Sequence, residues 1–341
     1  MKLDFRSDTV THPTQEMRNA MALAPVGDDV YEDDPTVNEL QAYASELFQT
    51  EAALYVCSGT MGNLLAILCH CDRGDGVLVG KEAHIWSHEA GGMACIAGTM
   101  PFQLDDSAGI PSVEEIRAQY RAPGDVHVCP TTLLALENTH NFMGGLPIAP
   151  AVFAEVAGTA RALGMKVHLD GARLFNACTA FEVPPSRYAA EVDSVQVCLS
   201  KGLGAPMGSM LCGKRTFIEK ARMWRKKLGG GQRQVGIAAA AGMVALRDMR
   251  GRLVQDHENA SYLAELLENT GVAVEPVSHR TNMVFFQLPK ECSEDLFVKQ
   301  CADRGLLLNG AGNGRVRMVT HLDVDRQAVG DAALLVREVL A

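Results

Sequence analysis

The sequence predicts an α/β fold, a mostly parallel central sheet flanked by helices, with a smaller C-terminal α+β domain. Three observations carry this. From Ala52 onward, short apolar runs alternate with helical stretches, the order that builds a parallel sheet covered on both faces. Several runs stop abruptly at a polar or charged residue, at Ser58, Glu137, Asp170 and Lys201; ligands on such sheets sit beyond the carboxyl ends of the strands. After about Met249 the pattern changes to a long amphipathic helix, then strand, helix, strand and helix. This divides the chain into an arm (residues 1–13), a large domain (14–248) and a small domain (249–341).

In order, residues 6–13 read as an extended arm, and Thr14 opens a first helix with Met17, Met21 and Ala24 on one face. Residues 27–35 are too acidic and turn-rich for a regular element. Thr36 is expected to cap a second helix that buries Val37, Leu40, Ala44 and Leu47. A strand over 53–57 turns sharply at Ser58-Gly-Thr60 into an apolar helix. Small residues and a hydroxyl at a helix N-terminus suit an anion, although a plain capped turn has the same pattern. Further strands are expected over 76–79, 100–104, 133–137, 167–170 and 194–200. Between them lie a helix opened by a Ser112/Glu115 capping box and another over 149–163. Residues 214–227 form a basic helix before Gly229-Gly-Gly231. The alanine-rich helix after Gln234 is apolar nearly all round, hence buried or at a subunit interface. The small domain reads as helix 252–269, strand 282–288, helix 293–304, strand 314–321 and helix 324–340.

With 341 residues and 47% hydrophobic residues the chain can bury a large core. A net charge of -10 argues against nucleic acid or anionic membrane as partners. No apolar stretch is long enough to span a bilayer, and residues 1–6 show no signal-peptide pattern. Ten scattered cysteines, several inside apolar runs, fit reduced thiols in a cytoplasmic protein.

The chemistry concentrates at two strand ends. Lys201 stands where a buried run gives way to a Gly-Leu-Gly turn, a place where desolvation favours the neutral amine that forms imines. Alone, it reads equally well as a solvated lysine at a strand end. Asp170, closing His168-Leu-Asp170, supplies the second group: a carboxylate for a pyridinium nitrogen and a lysine for the imine are what pyridoxal phosphate needs most. His84, His88 and Glu89 raise a metal-hydrolase alternative, but zinc-hydrolase helices place the glutamate between the histidines and here it follows both, so no metal is expected.

Arg6-Ser-Asp-Thr-Val-Thr11, Gly27-Asp-Asp-Val-Tyr31, Ser58-Gly-Thr60, Glu137-Asn-Thr-His-Asn141, His168-Leu-Asp-Gly-Ala-Arg173, Cys198-Leu-Ser-Lys-Gly-Leu-Gly-Ala-Pro206, Gly229-Gly-Gly231 and Val316-Arg-Met-Val-Thr-His-Leu-Asp323 occur in collinear order over nearly the whole chain. In these blocks the sequence resembles the low-specificity L-threonine aldolases, pyridoxal-phosphate enzymes of the aspartate-aminotransferase fold type (fold type I). The resemblance implies Lys201 as the imine-forming lysine and Asp170 as the pyridinium partner, with Ser58, Gly59 and Thr60 holding the phosphate. It implies that His84 stacks on the cofactor ring and that His127 is a second active-site histidine. Arg173 would reach the ring hydroxyl or the substrate carboxylate, and Ser7 and Arg317 would hold that carboxylate. Lys226 and Arg233 would enter a neighbouring subunit's site near the phosphate, in a homotetramer built as a dimer of dimers.

The implied reaction is retro-aldol cleavage of L-threonine, L-allo-threonine and other β-hydroxy-α-amino acids to glycine and an aldehyde. The proton acceptor would be His84, His127 or a water they hold. An aminotransferase or β-eliminating lyase on the same fold is the alternative within the cofactor class. Two positions depart from the family: Glu32 stands where a glycine is usual, and Phe142-Met-Gly-Gly-Leu-Pro147 replaces the usual Gly-Lys-Val-Leu-Pro. Both bear on substrate preference rather than on the cofactor.

Overall fold

Alternating strands and helices close into one seven-stranded sheet, and a second, antiparallel sheet follows in the last quarter of the chain. The computed structural model describes residues 3–340. The arm contributes β1 (Leu3–Asp4), which pairs in parallel with a short strand near the other end of the chain. The central sheet comprises β2 (Ala52–Val56), β3 (Gly76–Gly80), β4 (Met100–Leu104), β5 (Thr131–Glu137), β6 (Lys166–Asp170), β7 (Ser194–Cys198) and β8 (Ser209–Gly213). Their spatial order is β2-β8-β7-β6-β5-β3-β4; β8 runs antiparallel to both neighbours and the other pairings are parallel. The C-terminal sheet is built from β9 (Ala273–Val274), β10 (Met283–Gln287), β12 (Asn309–Gly312) and β13 (Arg315–Val319), while β11 (Leu306–Leu307) is the partner of β1.

The two faces of the central strands carry different chemistry because side chains alternate along a strand. Val167, Leu169, Val195 and Val197 point into the main core with Phe153 and Tyr188. The opposite face of β6 and β7 carries His168, Asp170, Ser194 and Gln196, all buried, and His168 lies beside Ser194 and Asp170 beside Gln196 in register. A strand pair buried on both faces does not need polar residues on either; this row, under the helix Gly59–His70, exists to build the site.

Most expected elements appear within one or two residues; the differences that bear on the argument are these. Strand β8 is not signalled by the sequence, because Ser209–Gly213 follows a glycine turn without alternation. The second helix, Pro35–Phe48, is capped by Asp34, whose Oδ1 accepts from the amides of Thr36 and Val37 at 3.1 Å each, while the Thr36 hydroxyl donates to Pro25 O. Only half of the capping box forms: Ser112 Oγ accepts from Glu115 N, but the Glu115 carboxylate accepts from the amide of Asp105. The alanine-rich helix Gly236–Asp248 is covered within the chain by the helices Gln15–Leu23 and Pro35–Phe48, leaving Ile237 exposed, so it does not require a partner to bury it.

Glu32, at the position where the family favours glycine, adopts φ 63°, the left-handed region in which a side chain is strained. It closes a short 3₁₀ turn, Asp29–Tyr31, and lies 3.6 Å from Arg222, an exposed pair of small worth. No helix among the described residues is long and apolar enough to cross a membrane.

Candidate active site

Chain segments leaving β2, β3, β5, β6 and β7 meet at one edge of the sheet, where two adjoining cavities of about 330 and 400 Å³ open. Thr9, His84 and Lys201 line both, so they form one cleft with two lobes.

In the smaller lobe, Ser58 ends β2 and caps the helix Gly59–His70, its Oγ accepting from Met61 N at 3.2 Å. The amides of Gly59 and Thr60 come too early in the helix to have partners within it and lie at the lobe. Position 59 must be glycine, since a Cβ there would stand 2.8 Å from Cys198 Sγ. Asp170 forms the lobe's floor. Its Oδ1 accepts from Gln196 Nε2 at 3.0 Å and Ala172 N at 3.1 Å, and its Oδ2 from Asn63 Nδ2 at 2.8 Å. Burial alone would raise this carboxyl, but the charges of His84 and Lys201 and these N–H donors outweigh it and hold Asp170 below the usual range. It is therefore an anion at neutral pH.

Lys201 is half-buried, and its carbonyl is fixed by Gly204 N (2.8 Å) and Thr11 Oγ1 (3.3 Å), so the turn after β7 aims the side chain into the cleft. Gly204 takes φ 79°, which the turn needs. His84 is anchored from two directions: its amide donates to Glu137 Oε2 at 2.7 Å, and its ring Nδ1 lies 3.1 Å from Glu89 Oε1.

The larger lobe is cationic. Arg173 is buried and makes a two-pronged pair with the fully buried Asp8, Nε to Oδ2 at 2.8 Å and Nη2 to Oδ1 at 2.6 Å. Arg317 follows on β13; its Nη1 donates to Asn141 Oδ1 at 3.1 Å, and its buried Nε has no partner. Burial, and then the charge of Arg173, push Arg317 down to about 10. Two guanidiniums and Lys201 thus face one carboxylate, Asp8, an imbalance that a bound carboxylate would correct. Ser7 lines the same lobe, and Phe142 closes its outer side, with its ring 4.5 Å from that of His88.

Of the residues expected from the sequence, Ser7, Ser58, Gly59, Thr60, His84, Asp170, Arg173, Lys201 and Arg317 all line this cleft. Three do not. His127 is exposed in a turn before β5, and its amide donates to Asp125 Oδ1. Lys226 is exposed at the end of the helix Arg215–Lys227, and Arg233 pairs with Asp28 at 2.8 Å. Sequence reasoning missed Asp8, Asn63, Asn141 and Gln196, and it considered Glu89 only as a metal ligand.

His84, Glu89 and Asp170 each offer an atom within 4.8 Å of the others, a possible ligand set that is not the His84/His88/Glu89 trio. In the structure both carboxylates are engaged by amide donors, Asn63 on Glu89 and Asp170 and Gln196 on Asp170.

The β-eliminating lyase family matches residues 4–290 of the chain. The low-specificity L-threonine aldolase of Escherichia coli K12 is 44% identical over 340 residues, covering 99% of each chain. Low-specificity L-threonine aldolase 1 of Arabidopsis thaliana is 43% identical over 94% of this chain and 91% of its own. Among solved structures, the Leishmania major threonine aldolase superposes with TM-score 0.85 at 17% identity, covering 99% of both chains. The Sphingomonas wittichii serine palmitoyltransferase gives 0.79 at 16% identity over 98% of this chain and 86% of that one, a likeness of fold. Together with the lysine, aspartate and arginines gathered at the strand ends, these matches show that the chain is a lyase belonging to the β-eliminating lyase family and, within it, to the low-specificity L-threonine aldolases.

Proposed function

We propose that the cleft binds pyridoxal phosphate and cleaves L-threonine, L-allo-threonine and related β-hydroxy-α-amino acids to glycine and an aldehyde. The observation that carries this is the single cleft in which a lysine and a buried, ionised aspartate face each other beside two arginines with charge to spare.

The residues present fit the cofactor. Lys201 would hold it through its amine, Asp170 would pair with the ring nitrogen, and Ser58, Gly59 and Thr60 at the helix start would take the phosphate. When bound, it supplies an electron sink for the pair left at Cα. The protein does the rest. Arg317 and Ser7 hold the substrate carboxylate, and Arg173, locked by Asp8, keeps the cationic wall rigid. His84, at the junction of the lobes, takes the proton of the β-hydroxyl. The β-substituent extends toward Phe142 and His88, and this aromatic wall accepts groups larger than methyl.

Two chains are proposed to complete each site. Among the described residues lining the phosphate lobe, Lys201 is the only lysine or arginine, little positive charge for a phosphate dianion. Lys226 and Arg233 are exposed and would supply positive charge to a partner's lobe, and Tyr31 and Met223 are exposed apolar side chains near them in the sequence. The assembly proposed is a homotetramer, a dimer of such dimers, and its place the cytoplasm, consistent with ten free cysteines.

Incubation with L-threonine and L-allo-threonine tests the activity. Glycine and acetaldehyde are expected in equal amounts; a 2-oxo acid with ammonia, or no product, would contradict the reading.

A further inference from the structure

We infer that Glu89 is the positioning residue for His84: it fixes the ring with Nδ1 protonated, leaving Nε2 as the basic nitrogen that the cleft presents to the substrate hydroxyl. The inference rests on the aldol-cleavage reading for its consequence, but its geometry stands apart from it.

Glu89 is buried, five residues past His84, in a turn where Ala90 (φ 52°) and Gly91 (φ 71°) reverse the chain. A carboxylate placed there without purpose would be costly to bury. Its Oε1 lies 3.1 Å from His84 Nδ1 and also accepts from Asn63 Nδ2 at 2.8 Å. With Glu89 ionised, Oε1 can only accept, so the hydrogen bond to His84 places the proton on Nδ1. Among the described residues Nε2 has no protein partner, and the His84 side chain is 32% exposed, toward the cleft.

Asn63 makes the arrangement unambiguous. Its amide nitrogen serves two carboxylates, Glu89 Oε1 and Asp170 Oδ2, each at 2.8 Å, which forces its oxygen toward His168 Nε2 at 3.0 Å. His168 must then donate from Nε2 and accept at Nδ1 from Ser194 Oγ, 2.9 Å away; burial pushes this histidine down to about 4, so it is the neutral ring this requires. A single amide thus clamps the partner of His84 and the partner proposed for the cofactor ring.

Every charged group near His84 agrees with this direction or is outweighed. The hydrogen bond to Glu89 raises the imidazole most; burial opposes it; Asp170 raises it; Lys201 lowers it. Glu137 binds the backbone amide, and the His88 ring, 5.8 Å away, is itself held below its usual range, chiefly by burial, and is neutral at pH 7. Burial, in turn, pushes Glu89 up against the pull of His84, so the two groups titrate as a pair.

In the cleavage step the β-hydroxyl proton moves to Nε2. The O–H pair becomes the second bond of the aldehyde carbonyl, and the Cα–Cβ pair stays with Cα. The imidazolium so formed faces the Glu89 carboxylate, and it returns to neutrality when a proton is delivered to Cα to give glycine. Nothing is oxidised or reduced overall.

Nitrogen-15 shifts of wild-type protein, read from pH 5 to 9, test the tautomer without a variant: Nδ1 protonated and Nε2 bare supports the inference, and the reverse overturns it. In Glu89→Gln the His84 titration is expected to fall by about 1–2 pH units, and kcat by about 10–100-fold. KM for L-threonine should stay within about twofold, since these residues do not touch the carboxylate. The acid limb of the kcat profile should move down in pH with the titration, and Glu89→Asp should recover part of the rate. A lowered kcat with an unmoved His84 titration would reduce Glu89 to a structural residue and overturn the proposal. If wild-type protein forms no glycine from threonine while the tautomer is as described, the function fails and the positioning stands.

Discussion

Lys201→Ala is expected to give a folded protein that cleaves no L-threonine above background and lacks the visible absorption of a lysine-held cofactor. The fold uses residue 201 through its carbonyl, which accepts from Gly204 N and Thr11 Oγ1, and alanine preserves both contacts. The side chain is half-buried at the junction of the two lobes, so its removal empties the cleft without opening the core. What is lost is the amine, and no other lysine lines either lobe among the described residues. The same variant examines the shared site. Arg233→Ala protein, expected to bind the phosphate less well, keeps Lys201; mixed dimers with Lys201→Ala then contain one site with both native residues only if these come from different chains. Activity regained on subunit exchange supports the proposed dimer, whereas silence in proven heterodimers refutes it. Full turnover by Lys201→Ala alone would remove the basis of the functional assignment.

Asp8→Ala is the substitution with the largest expected effect on stability. Asp8 is completely buried and Arg173 nearly so, and they are joined by two short hydrogen bonds, with Asn282 Nδ2 also donating to Asp8. Removing one partner leaves a buried guanidinium uncompensated, a loss of about 3–5 kcal/mol. The pH dependence has a definite sign. Burial would raise Asp8, but the charge and hydrogen bonds of Arg173 hold its carboxyl well below the ordinary carboxylate range of about 4. Its contribution is therefore complete above that range and disappears as the pH falls toward its folded value. Denaturation followed between pH 3 and 7 should show a shallower acid slope in Asp8→Ala than in the native protein. A double variant separates stability from function: Asp8→Leu combined with Arg173→Met replaces both charges and should recover much of the stability but none of the activity. A loss below about 1 kcal/mol in Asp8→Ala would show that water reaches this pair and that the wall is softer than its geometry implies.

The parts of the site that end a strand were readable from the chain alone. Ser58, Asp170 and Lys201 each interrupt an apolar run, and interruption is visible in one dimension. The supporting residues were not, because they act across distance. Asp8 and Arg173 lie 165 residues apart, Asn63 and Asp170 107 apart, and neither separation leaves a local signal. Gln196 sits inside a run that still reads as a buried strand, and only its register opposite Asp170 reveals its purpose. Strand β8 escaped for a related reason: it is defined by neighbours on both sides, β2 and β7, rather than by its own five residues. The resemblance named Lys226, Arg233 and His127 as site residues, and all three stand outside the cleft of a single chain; for Lys226 and Arg233 the proposed dimer would supply the missing site.

Every proposed role in the cleft depends on the lysine at the end of β7 holding the cofactor. Borohydride treatment of the protein purified with pyridoxal phosphate, followed by digestion and mapping of the modified peptide, addresses it directly. Loss of the visible band, loss of activity and a single reduced adduct on Lys201 are expected. An adduct on any other lysine, or none in a protein that retains full activity after treatment, would contradict the assignment of Lys201.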